Sequence, residues 1–384
     1  MSEILILGAG YTGMGATMAL AGRLRGRDDV HITLVNPQTR FTERLRLHQT
    51  ASGQALADLE IPDRLAGTGV DFVAGWVTAI DARAQTVRID DEFELAYDTL
   101  VYALGSAADT ESVPGVTEFA YTLNSAQDAV ALADELNRRG AAPVVVAGGG
   151  LTGIESAAEI AEQHPDADVV LLSRAEPGSM MGAKARARLH AGLARLGVRI
   201  CSGADIVKVM ADGVALANGE VVPAQVVLWT TGVRVSPLAS AAGLQVDGSG
   251  RILTDESLRS VSHPNVYAVG DAAAIRQAYG VIHGTCQSGI PTSMHAAASI
   301  ARELNGKQPK PFRFGYVHQP VSLGRHDAVI QFTHADDSPG RFYLSGRLAA
   351  AYKETVSSSP WTTYRLIKAI PSIGSMTWRR GGTT

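Results

Sequence analysis

Two stretches decide the fold: Ile4-Leu5-Ile6-Leu7-Gly8-Ala9-Gly10-Tyr11-Thr12-Gly13 and Val144-Val145-Val146-Ala147-Gly148-Gly149-Gly150-Leu151-Thr152-Gly153. Each is an apolar run, then G-x-G-x-x-G, then an alanine-rich stretch of helical character. The first glycine permits the tight turn. The second lets backbone approach a pyrophosphate, and the third lets helix pack on strand. The helix N-terminus then offers free N–H groups and the positive end of its dipole to the phosphates. One such fingerprint points to one bound dinucleotide. Two in one chain point to two dinucleotides held together, and so to electron transfer between them.

Around each fingerprint the pattern repeats. His31-Ile32-Thr33-Leu34-Val35 and Val169-Val170-Leu171-Leu172 read as buried parallel strands, apolar on both faces. Residues 70–102 read as an antiparallel segment, and 183–240 as a second one ending in Val226-Val227-Leu228-Trp229. Ser106 to Gly115 reads as a connector. Ser125 caps a helix expected to reach Arg139. Val266-Tyr267-Ala268-Val269 is a further strand, and Gly289 to Leu304 a long helix. From Pro311 onward β-like runs alternate with turns. Ser359-Pro360 reads as a cap and first-turn proline that open a last helix. Trp361, Tyr364, Ile367 and Ile370 share one face of it, and Trp378, Arg379 and Arg380 follow.

Composition narrows the function classes. With 384 residues and 46% hydrophobic content, the chain can bury more than one core. The net charge of -4 argues against nucleic acid. Cys201 and Cys286 are the only cysteines and form no CxxC, which argues against a disulfide framework, a zinc site or a redox dithiol. The first residues carry no basic n-region or long apolar h-region, and no apolar run is long enough for a bilayer span. The expectation is a soluble cytoplasmic protein, at most peripheral at a membrane. The basic aromatic tail leaves three readings open: membrane surface, packing on its own fold, or a homodimer interface.

The end of each second strand normally carries an acid for a ribose hydroxyl. Here Asn36 stands at the first, and can still hydrogen-bond a ribose. Ser173-Arg174 stand at the second, a pair suited to a 2′-phosphate and so to NADPH, or to relaxed use of NADH and NADPH. Arg174 reads equally as a solvated surface arginine.

With these residues in view, the chain resembles the flavoproteins with two dinucleotide-binding domains. It is most similar to the branch of the type II NADH dehydrogenases and apoptosis-inducing-factor-like proteins. Tyr97-Asp98-Thr99-Leu100-Val101-Tyr102-Ala103-Leu104-Gly105-Ser106 resembles the family's first link, Val226 to Val233 its second, and Asn265-Val266-Tyr267-Ala268-Val269-Gly270-Asp271 its FAD segment. The resemblance implies an α/β chain of two Rossmann-like domains, the second inserted in the first, plus a small C-terminal α+β region. FAD is expected on residues 1–110 and 245–308, NAD(P)H on 111–244, and an acceptor-side or interface region over 309–384. Implied FAD contacts are Gly8, Gly10, Tyr11, Thr12, Gly13, Asn36, Arg44, Val77, Ala103, Gly105, Gly270 and Asp271, the last on the ribityl chain. Implied nicotinamide-dinucleotide contacts are Gly148, Gly150, Leu151, Thr152, Gly153, Ser173, Arg174 and Gly232.

For the reacting end the resemblance implies Glu155 beside the nicotinamide, and Gln287 in the first half of the family's quinone-pocket pattern. The second half falls on Pro291-Thr292 and departs from that pattern. The family's sulfur relay is missing too, since Arg44-Leu45-Arg46-Leu47-His48-Gln49 stands in its place. Arg44 to Gln49 reads either as a charged group beside the flavin or as solvated side chains. His318 and Lys353 read as acceptor-site groups or as structural ones, and Cys286 as a buried small residue. The expected activity is FAD-dependent NAD(P)H oxidation, with electrons passing to a quinone-like or other small acceptor. A reductase for an electron-transfer protein such as a ferredoxin, and a redox-sensing flavoprotein with little turnover, stay open beside it.

Overall fold

The computed structural model describes residues 1–372. Trp378, Arg379 and Arg380 of the tail lie outside the described residues. Ile4 to Leu7 and Val144 to Ala147 are buried on both faces, and each run forms a central strand of a parallel sheet. In the first sheet Ser2–Leu7 lies between Val30–Asn36 and Thr99–Tyr102, with Val70–Ala74 and Val266–Ala268 on the outside. In the second, Pro143–Ala147 lies between Asp168–Ser173 and Val226–Trp229, with Arg199–Ser202 beyond. The duplication extends to an antiparallel meander in each unit. Val77–Asp81, Thr86–Ile89 and Phe93–Ala96 form the first, and Ile206–Met210, Gly213–Leu216 and Val221–Pro223 the second.

Two antiparallel expectations therefore need correction. Val70–Ala74 and Thr99–Tyr102 join the first parallel sheet, and Arg199–Ser202 and Val226–Trp229 the second. Within these two segments the meanders keep the antiparallel pairing that was expected. An apolar run reports burial and carries no sign of strand direction, which the crossovers impose. The 106–115 connector is also more ordered than expected. Ser106–Ala108 pairs with Val233–Val235, so the chain leaves and re-enters the first unit along a two-stranded antiparallel ribbon.

The helix expected from Ser125 is present as Ala126–Arg139. Ser125 Oγ accepts from the Asp128 N–H, and the Asp128 carboxylate accepts in turn from the Ser125 N–H. After the Cys286–Glu303 helix come three antiparallel strands, His318–Ser322, Ala328–Thr333 and Pro339–Ser345. The last helix does not begin at Ser359. It runs unbroken over Arg347–Ala369, with Pro360 inside. A proline removes the N–H that would satisfy the Val356 carbonyl. Ser359 Oγ donates to that carbonyl instead, at 3.2 Å. Tyr364 is fully buried and donates to the Tyr11 carbonyl at 3.0 Å, while Trp361 packs on Phe41 and under the Arg64 guanidinium. The described aromatic face of the tail thus packs on its own fold, and only Ile370 of the four stands half exposed. No helix among the described residues is long and apolar enough to cross a membrane.

Candidate functional site

The two fingerprint turns are built alike. Gly8 and Gly148 adopt φ of +92° and +123°, which only glycine takes without strain. A Cβ on Gly13 or Gly153 would collide with the carbonyl of Gly8 or Gly148, so the helix lies directly on the turn. A Cβ on Gly10 or Gly150 would meet no protein atom within 4 Å, so the second glycine of each turn faces open space. The helices that follow, Tyr11–Arg23 and Leu151–Gln163, have no side-chain cap and no acid in the first turn. The helices after Ser125 and Thr285 have full capping boxes. First-turn N–H groups are thus left unclaimed by side chains where a phosphate is expected.

The structure brings the first turn against the distant Gly270-Asp271 segment. Thr12 packs on Gly270 and Gly289, and a Cβ on Gly270 would lie 2.7 Å from its methyl. Asp271 accepts from Ser106 Oγ at 2.8 Å, and Arg44 donates to the Ser106 carbonyl at 2.6 Å. Ala103 closes the floor, its carbonyl against Gly8. Gly105 turns the chain away with φ of +65°. Tyr11 Oη accepts from the Leu45 N–H at 3.3 Å. Val77 is half-buried at the start of the first meander. Asn36 is spent on the turn itself: it accepts from the Ala9 N–H at 2.9 Å and donates to the Gln38 carbonyl at 2.7 Å.

In the second unit Leu151 and Thr152 open the helix, and Gly232, at φ of +72°, accepts from Asp109 N–H. Ser173 is buried against Gly149. Arg174 points outward, its side chain 84% exposed, and is tied to Asp205 at 3.1 Å.

Glu155 lies one turn into the second fingerprint helix and is 5% exposed. Its Oε1 accepts from Lys353 Nζ at 2.8 Å and from the Ser322 N–H at 2.9 Å, and His48 Nδ1 lies 3.9 Å from Oε2. Four segments far apart in the chain therefore meet at one carboxylate. Burial alone would raise Glu155, but Lys353, His48 and the Ser322 N–H outweigh it and hold the group below the usual carboxylate range. Burial pushes His48 down to about 4, against the pull of Glu155. One turn on, Glu159 is fully buried, bonded by Gln54, and pushed up to about 7 by burial.

Gln287 spends its side-chain amide on backbone partners. Its amide donates to the His318 carbonyl and accepts from the Val317 N–H, both at 2.7 Å, and so ties the Cys286–Glu303 helix to the C-terminal sheet. His318 itself bonds Tyr352 Oη at 2.6 Å. Cys286 is pushed up to about 11 by burial, and both thiols are free. No local pattern in the sequence names a partner for Glu155. Glu155, Glu159 and Glu162, at helical spacing in an otherwise apolar helix, were the available signal of a buried charge network.

Comparison with known proteins agrees with this architecture. An NADH dehydrogenase-like protein of Mycobacterium tuberculosis is 30% identical over 355 residues, covering 86% of this chain and 87% of its own. A demethylphylloquinone reductase of Synechocystis is 28% identical over 372 residues, covering 91% and 92%. The solved sulfide:quinone oxidoreductase of Aquifex aeolicus superposes with a TM-score of 0.83 at 17% identity, over 97% of this chain and 93% of that one. The sequence pattern of the pyridine nucleotide-disulphide oxidoreductases matches residues 2–301, and the chain belongs to that family.

Proposed function

We propose that the protein is an FAD-dependent NAD(P)H oxidoreductase that passes electrons to a quinone-like small acceptor. The observation that carries this is the twin construction: two uncapped helix N-termini, each behind a glycine turn open to solvent at its second glycine. The first turn, with Thr12, Ala103, Gly105 and Asp271, fits FAD; Arg44 and Val77 flank it. The second, with Leu151, Thr152 and Gly232, fits the nicotinamide dinucleotide. The two units correspond to residues 1–110 with 245–308, and to 111–244. FAD, when bound, supplies the electron chemistry. The chain supplies orientation and charge. Glu155, ionised and fixed by Lys353 and Ser322, presents a set charge at the reacting end of the second fingerprint helix. Gln287 acts as a positioning residue that holds the Val317-His318 strand start against the Cys286–Glu303 helix. The names of the relatives, two of which act on quinones, support the choice of acceptor.

NADH is the simpler fit to the second unit. A 2′-phosphate would have to draw Arg174 off Asp205 and would then face that carboxylate. The test is anaerobic: purified protein, reduced by NADH and by NADPH, then reoxidised by a water-soluble quinone. Release of FAD on unfolding and reoxidation by quinone are expected. No flavin, or turnover only with an added iron–sulfur protein, would overturn the reading.

A further inference from the structure

Three helices end at one place, on the side away from their functional N-terminal halves. Tyr11–Arg23, Cys286–Glu303 and Arg347–Ala369 bring their C-terminal ends around a cleft of about 450 Å³. Small-molecule sites span about 300–1,000 Å³. Gly22, Ala298 and Ala301 line the cleft with backbone and methyl groups alone. A Cβ on Gly22 would strike the Lys368 carbonyl and the Pro371 ring, so the end of the last helix lies directly on the first. Arg23, Arg302 and Lys307 also line the cleft.

None of these three cations forms an ion pair among the described residues. The acids nearby are engaged elsewhere, Asp29 with Arg27 at 2.6 Å, and Glu303 with Arg259 at 3.0 Å and Tyr267 Oη at 2.6 Å. Arg23 gives Nη2 to the Pro371 carbonyl at 2.7 Å, and Arg302 gives Nε to the Gln308 carbonyl at 2.8 Å. Arg23 Nη1 and both terminal nitrogens of Arg302 make no hydrogen bond among the described residues. Burial holds the half-buried Arg23 below the usual arginine range, and no acid lifts it back. Arg27, bonded by Asp29, is raised instead. Helix dipoles account for part of the charge. Each C-terminus carries about half a negative charge, so three ends offset about one and a half of the three positive charges. The surplus is left for an anion.

We propose that this cleft is a binding site for a phosphomonoester, with Arg302, Lys307 and Arg23 around the phosphate and Gly22, Ala298 and Ala301 under its apolar part. Two planar guanidinium groups and an ammonium suit the three free oxygens of a phosphomonoester dianion. A planar carboxylate would engage one guanidinium and leave the surplus charge uncompensated. The phosphate can come from a small organic phosphate or from a phospholipid head. The site is separate from both dinucleotide turns, which lie at the opposite, N-terminal ends of their helices.

The test uses the full chain with FAD and saturating NAD+, so that both dinucleotide turns are filled. Phenyl phosphate, titrated by calorimetry, should bind, and more weakly as salt is added. Arg302→Gln/Lys307→Gln should bind it about tenfold more weakly, the loss expected for two partly screened charge contacts. Lys307→Gln alone, on an exposed loop that leaves the fold intact, should weaken it about threefold. The NAD+ affinity should be the same in all three proteins. Vesicles of phosphatidylcholine with and without phosphatidate distinguish the sources. Phenyl phosphate binding without vesicle binding supports a free organic phosphate. Sedimentation with phosphatidate vesicles only, lost in the double variant, supports a lipid head. Binding to neither probe, equal affinity in parent and double variant, or displacement of phenyl phosphate by NAD+ would each overturn the proposal.

Discussion

Lys353→Met isolates the buried charge pair. The Lys353 and Glu155 side chains are 10% and 7% exposed and meet at 2.8 Å. Removing the ammonium leaves Glu155 with the Ser322 N–H, and with a neutral His48 at 3.9 Å. Breaking such a pair from one side costs about 3–5 kcal/mol, because the remaining charge stays buried. Glu155→Gln breaks it from the other side at a similar cost. The double variant Lys353→Met/Glu155→Gln strands no charge. It should return close to parent stability, a coupling of about 6 kcal/mol or more. Thermal unfolding of the holoenzyme at fixed FAD reads this as a fall of several degrees in each single variant and recovery in the double one. Turnover separates structure from chemistry: the double variant should stay as slow with quinone as the single ones. A double variant as unstable as the singles would refute the coupling. One that is stable and fully active would refute the placement of the pair in the chemistry.

Two further outcomes follow from the same region and from the second unit. Folded, Glu159 keeps its proton up to about pH 7 against 4.5 for the free group, so its burial costs about 3 kcal/mol of stability as pH rises from 4.5 to 7; His48, about 4 folded against 6.5 free, returns a similar amount from 4 to 6.5. Glu159→Gln removes only the first effect, so its gain in melting temperature over the parent should be absent below pH 4.5 and full at pH 8; an offset equal at every pH would show that Glu159 stays ionised. At the ribose end, Asp205→Asn frees Arg174 and removes a like charge from a 2′-phosphate, a change of about 1 kcal/mol at an exposed site. The ratio of kcat/KM for NADPH over NADH should rise several-fold, and an unchanged ratio would place Arg174 outside the nucleotide site.

The features legible in the sequence are those whose constraint is local. The fingerprints are read within six residues because glycine at three fixed spacings is required by turn, ligand and packing at once. The Ser125 cap is read the same way, from a side chain three positions from its partner. Strand direction was not legible, since Val70–Ala74 and Thr99–Tyr102 are apolar whichever way their neighbours run. Pro360 sits inside a helix against its usual signal because the Ser359 hydroxyl satisfies the Val356 carbonyl, a contact that sequence alone does not announce. The Glu155 cluster draws on residues 48, 155, 322 and 353, and no pattern along the chain announces that these meet.

Pro291-Thr292 shows how this bears on function. In sequence it marked a departure from the family's quinone-pocket pattern. In the fold both residues are buried, and Thr292 Oγ1 accepts from the Gly270 N–H at 3.1 Å while donating to the Gly289 carbonyl. Thr292 therefore braces the turn that aims Asp271, on the FAD side. The substitution there bears on how the Gly270-Asp271 turn is held, and so carries no argument for or against a quinone acceptor.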